Sequence, residues 1–124
     1  MKYLRRYNEE KDNFDIVIDI EDVFQELVDV GFKIIAGKSI YVDMFRIEIY
    51  KPGVENWDVS VEIKDCLDHL CRYAQTIGYY VRVLDTDDRA IMVDDLNVGY
   101  NYVYMIVHMA KCPVPTGPRS WIRI

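Results

Sequence analysis

The chain has 124 residues, 51% of them apolar and 29% charged, which suits one folded soluble domain and excludes a wholly disordered chain. Its formal charge of −6 is unevenly placed: residues 1–11 carry +2, residues 12–118 carry −10 and residues 119–124 carry +2. An acidic body with basic ends argues against a nucleic-acid binder, which needs a basic stripe on its folded surface.

The opening decapeptide MKYLRRYNEE alternates Lys2, Arg5 and Arg6 with Tyr3, Leu4 and Tyr7. No apolar run of about seven or more residues follows the basic start, which argues against a signal peptide. Two roles fit it: a flanking element of the protein's own sheet, or an arm that docks on a neighbour through Tyr3, Arg5, Arg6 and Tyr7. EKDNFD (10–15) is polar and reads as a connection. The spacing then predicts a helix over 19–31, because Ile20, Val23, Phe24, Leu27 and Val28 share one helical face. Asp19 suits its N-cap and Gly31 its C-terminal stop.

FKIIA (32–36) and IYVDMFRIEIY (40–50) read as a hairpin across a polar turn at Gly37–Ser39. Phe45, Ile47 and Ile49 there alternate with Arg46, Glu48 and Tyr50, as in a half-buried strand. Lys51–Gly53 ends it. The stretch 56–78 starts with strand-like alternation at Trp57, Val59, Val61 and Ile63. It continues with helical spacing through Ile63, Cys66, Leu67, Leu70, Cys71 and Ala74. A second amphipathic helix is expected from Asp58–Ser60 to Gly78, with Asp58 or Ser60 as cap. Strands are expected over 79–85, 90–94 and 100–110, separated by turns rich in aspartate, asparagine and glycine.

The element order αββαβββ predicts an α+β two-layer sandwich, two amphipathic helices on one face of a mainly antiparallel sheet, a variant of the ferredoxin-like arrangement. The domain would span 1–112, with 1–15 as an N-terminal arm. The remaining 113–124 hold three prolines and a glycine, forming an extended tail. Pro115, Arg119, Trp121, Ile122 and Ile124 give that tail the apolar and basic groups of a docking peptide.

Candidate chemistry is sparse. Asp85, Asp87 and Asp88 cluster in one turn with Asp94 and Asp95 nearby, but Arg89 and Ala90 stand where an EF-hand loop needs a ligand and glycine. Cys66 and His69 are a helical turn apart and suit zinc, yet no second ligand pair accompanies them; buried cysteines in a core stripe are the simpler account. His108 in an apolar strand reads as a core histidine. Neither a nucleophile–base arrangement nor a glycine-rich phosphate loop occurs, so no catalytic residue, cofactor or metal is assigned. The odd count of three cysteines suits reduced thiols and a cytosolic site of synthesis. No segment approaches the roughly 20 apolar residues of a membrane helix. The ten tyrosines suit broad contact surfaces as well as a sheet-rich core.

MKYLRRYNE, followed by DIEDVFQELVDVGFKI and VEIKDCLDHLCRY, is similar to a class of small uncharacterised proteins encoded by tailed bacteriophages. The resemblance spans about the first 75 residues; it implies a phage-encoded chain with a virion or assembly role, and it transfers no functional residues. The expectation is a non-enzymatic protein–protein interaction module, a minor structural component that docks on other virion subunits or on itself as a homo-oligomer. It would be made in the host cytoplasm and then held in the virion. Its rival is an acidic inhibitor of a host defence or nucleic-acid-binding protein, with the body mimicking a phosphate backbone. A third reading is a small metal-dependent enzyme using the 85–95 aspartates.

Overall fold

The computed structural model describes residues 12–111. Asp12 opens the first helix, α1 (Asn13–Val23), with its Oδ1 accepting the Asp15 backbone N–H at 2.9 Å. That bond satisfies one of the donors every helix start leaves free. Asp12 is thus the cap where Asp19 was expected, and Asn13–Asp15 form the first helical turn rather than a connection or arm. The Asp/Asn-rich stretch imitates a loop because the same residues favour turns and N-caps.

The expected single helix is two. At Phe24 the backbone turns to φ −99° and ψ 11°, and the Phe24 N–H reaches the Glu21 carbonyl at 3.2 Å. The chain re-enters helix as α2 (Gln25–Asp29). This break keeps Ile20, Phe24 and Leu27 fully buried while Val28 turns outward. Gly31, at φ +106°, ends the segment as expected. The Phe32 N–H bonds the Leu27 carbonyl at 2.9 Å and the Gly31 N–H bonds Val28 at 3.1 Å, the double bond of a Schellman stop.

Strands β1 (Lys33–Lys38) and β2 (Met44–Tyr50) form the expected hairpin, in register from Lys33 opposite Tyr50 to Lys38 opposite Phe45. A short strand β3 (Trp57–Asp58) precedes α3 (Val61–Thr76). Of the two candidate caps Ser60 serves, its Oγ accepting the Ile63 N–H at 3.2 Å. Then follow β4 (Tyr79–Leu84), β5 (Ala90–Met92), a 3-10 turn at Val93–Asp95, β6 (Asn101–Tyr102) and β7 (Met105–Lys111).

The five-stranded sheet runs β1-β2-β7-β4-β5 and each neighbouring pair is antiparallel. The fold is α+β, with α1, α2 and α3 packed on one face of this sheet. The expected strand 100–110 divides at the exposed Val103 and Tyr104. Its first part, β6, pairs with β3 in a separate two-stranded ladder, and its second part, β7, enters the centre of the main sheet. The core lies between the layers: Ile16, Ile20, Phe24, Leu27, Ile63, Leu67 and Leu70 from the helices meet Phe45, Ile47, Ile49, Val81, Val83, Val107 and Met109 from the strands. Tyr102 ties the small ladder to the sheet by donating to the Leu84 carbonyl at 2.9 Å. Trp57 is clamped there, stacked on Tyr102 at 5.6 Å and edge-on to Phe32 at 5.1 Å.

Candidate interaction surfaces

Because side chains alternate along a strand, the face of the sheet opposite the helices carries the other half of each strand. None of the described helices packs on it. Paired residues place Gly37, Arg46, His108, Arg82 and Met92 in one row across all five strands. The next row runs Ile35, Glu48 and Ile106, and on the other side Met44, Ala110 and Tyr80 are aligned.

His108 therefore sits on this open face, half-buried between two arginines, and not in the core. Burial, then Arg82, then Arg46 hold its pKa below the ordinary 6.5, so the ring is neutral at pH 7. Arg46 is paired with Glu48, and Glu48 also accepts the Tyr104 hydroxyl. That hydroxyl's pKa is raised, chiefly by the bond to Glu48. Tyr104 stacks on Tyr50 at 5.5 Å. Arg82 differs: it lies over the Tyr80 ring at 5.5 Å, pairs with no carboxylate among the described residues, and its Nε is buried without an acceptor.

The hairpin joining β1 to β2 makes a second feature. The loop 39–43 displays Ile40, Tyr41 and Val42 at 84%, 88% and 55% exposure. Ser39 shapes it, its Oγ accepting the N–H groups of Tyr41 at 3.1 Å and Val42 at 3.4 Å. Asp43 anchors its far side: its carboxylate accepts the Tyr79 hydroxyl at 2.7 Å and lies 3.7 Å from Lys38 Nζ and 3.9 Å from Lys111 Nζ. Its carbonyl accepts the Lys111 N–H at 3.1 Å. Beside the loop an open groove of about 440 Å³ is lined by Ile35, Gly37, Ile40, Tyr41, Met44 and Arg46, among others. A braced loop that exposes three consecutive large apolar side chains is a contact surface in form. The turn expected at 37–39 thus extends through Asp43, and residues 40–43, expected as strand, belong to the loop. The turn-forming Ser39 was the available signal that the loop continued.

The helical layer has the opposite electrostatic character. α1, α2 and α3 carry nine acidic side chains against two basic ones, Lys64 and Arg72. On the open sheet face the charged residues are Lys33, Arg46 and Arg82 against Glu48. The helical layer is thus net acidic and the open sheet face net basic, while further carboxylates, among them Asp43, Asp85, Asp87 and Asp88, lie in the loops. Between α1/α2 and α3 a groove of about 320 Å³ is lined by Glu26, Asp65, Cys66, Asp68, His69 and Arg72. Here Cys66 and His69 do share a surface. The Cys66 thiol, however, points at Glu26 with Sγ 3.8 Å from Oε1, and burial followed by Glu26 pushes its pKa up to about 11. A protonated thiol facing a carboxylate is a poor zinc ligand.

In the β4–β5 turn the Asp85 carboxylate accepts the N–H groups of Asp87 and Arg89, both at 2.8 Å. These bonds, led by that from Arg89, lower its pKa. The carboxylate is spent on the turn. Among the described residues no group of three or more His, Cys, Asp or Glu side chains is placed to hold a metal ion. No described helix is long and apolar enough to cross a membrane. Tyr3, Arg5, Arg6, Tyr7, Pro115, Arg119, Trp121, Ile122 and Ile124, the docking residues expected from sequence, all lie outside the described residues.

No protein-family model matches the chain, and none of the curated proteins or solved structures is recognisably similar to it.

Proposed function

We propose that the chain is a non-enzymatic protein–protein interaction module, a minor structural or assembly component of a bacteriophage particle. The observation that carries the binding role is the Ile40–Val42 loop. A soluble domain gains nothing internally from exposing Ile40 and Tyr41 almost completely, yet the loop is held in shape by Ser39 and Asp43. Preorganised apolar side chains lose little freedom on docking, and aromatic ones contribute much of the energy of an interface. The phage assignment is supported by the sequence resemblance of the first 75 residues.

The test is the double substitution Ile40→Asp with Tyr41→Asp. Both side chains are exposed, so unfolding stability should change by no more than about 0.5 kcal/mol for each. Incorporation of the protein into particles, measured by mass spectrometry of purified virions, should be lost. Unchanged incorporation of a folded double variant would sink the reading.

A second reading draws on a different surface. Nine acidic side chains on the helical layer favour an inhibitor that presents them to a basic host protein. Such binding should weaken steeply with salt, whereas docking through Ile40 and Tyr41 should not.

A further inference from the structure

We infer that the open sheet face binds the acidic helical layer of a second copy of this chain, so that molecules stack front to back. This rests on the reading of the chain as a binding module and names a partner for the open sheet face, whose Ile35 and Arg46 also line the groove beside the hairpin loop. Three observations carry it. Arg46, His108 and Arg82 form a continuous row across the middle of a sheet face that no described helix covers. Arg82 has no carboxylate partner among the described residues. The surplus of carboxylates that would complement it lies on the opposite side of the same molecule, on α1, α2 and α3.

Both faces also carry exposed apolar side chains to exclude water: Ile35 and Met92 on the sheet, Phe14 and Ile18 one turn apart on α1. A second copy is the occupant because its own helical layer, with nine carboxylates on α1, α2 and α3, supplies the acceptors that Arg82 lacks. A contact between two different faces of identical chains is heterologous, and repetition of it builds a ring or a filament. The sheet face is small. Five strands spaced about 4.8 Å apart and about 20 Å long offer less than the roughly 800 Å² per partner of a standard interface. Each contact is therefore weak, and stacking depends on concentration.

Sedimentation velocity of the full chain tests this at protein concentrations up to about 1 mM, which populates contacts with a Kd as weak as millimolar. The salt arms are about 0.01 M and about 1 M, where the screening length falls from about 30 to about 3 Å. The expected result at low salt is an average mass that rises with concentration to at least twice the monomer's 14.7 kDa. High salt should return it to the monomer. Arg46→Glu with Arg82→Glu should remain monomeric at low salt, and so should Asp22→Lys with Asp65→Lys on the helical layer. Mixing the two variants should restore association, since each then carries the face that complements the other.

A wild-type chain that stays monomeric in every arm overturns the inference, as does association that either folded double variant leaves intact. If the Ile40→Asp, Tyr41→Asp chain is monomeric while the sheet variant still associates, the hairpin loop is the self-contact: the stacking inference fails and the interaction-module reading stands. If the wild type is monomeric and the loop variant still enters particles, both fail.

Discussion

Cys66 illustrates how a residue type can suggest chemistry that its surroundings withhold. Its pKa is pushed up to about 11 by burial and by Glu26, so the reactive thiolate is scarce at neutral pH. With an aromatic disulfide reagent at about pH 8, Cys66 in the folded protein should react far more slowly than in urea. A rate equal to that of the unfolded chain would contradict the geometry. His108 makes a prediction of opposite kind. Its pKa is held below 6.5 in the fold, so the unfolded chain takes up the proton more readily than the folded one. Its contribution to stability is complete above 6.5 and is lost as pH falls through the lowered folded value. Urea unfolding at about pH 7.5 and about pH 5 should show this loss, and His108→Gln should reduce it. A slope unaltered by that substitution would remove His108 as a cause.

At the scale of elements, the helices are bounded by local chemistry that a sequence displays. Gly31 is required by its φ of +106° and not by space, since a Cβ there would make only ordinary contact with Lys51 Cε at 3.5 Å. Gly31→Ala should cost about 1 kcal/mol or more of unfolding stability. Ser60→Ala, which removes the acceptor for the Ile63 N–H, should cost about 1 kcal/mol; denaturant melts measure both. Ser60 and Gly31 were legible because an N-cap hydroxyl and a C-terminal glycine act on their own neighbours. The break at Phe24 was not. Val23, Phe24, Leu27 and Val28 keep unbroken helical spacing, with neither glycine nor proline among residues 23–28 to mark the interruption. The sequence pointed to Asp19 as the cap, but Asp12 caps the helix, one turn before Ile16, which joins Ile20 in the core.

At the scale of the molecule, one cluster of buried residues links α1, α2 and α3 with β2, β4 and β7, and includes Trp57 and Tyr102 of the small ladder. Unfolding should therefore be a single cooperative event. Near-ultraviolet circular dichroism, which follows the packed aromatic rings including Trp57, and far-ultraviolet dichroism, which follows the helices, should give the same urea midpoint. Separate midpoints would show the β3–β6 ladder to be an independent unit. The proposed stacking of whole molecules adds a concentration-dependent term to that stability, because the associated form is folded.

The α+β class, the β1–β2 hairpin and the helical core stripe through Ile63, Leu67 and Leu70 were determined by sequence pattern, since each is written in spacings of two to four residues. Strand order was not. That Met105–Lys111 lies between β2 and β4 depends on which apolar faces meet across the whole chain. The binding surfaces follow from that decision. The row Arg46, His108, Arg82 draws on three segments that adjoin only once β7 takes the central place. The acidic composition was plain, but the fold decided that the helical layer is net acidic and the open sheet face net basic, because α1, α2 and α3 bury their apolar side against the sheet and leave their carboxylates outward.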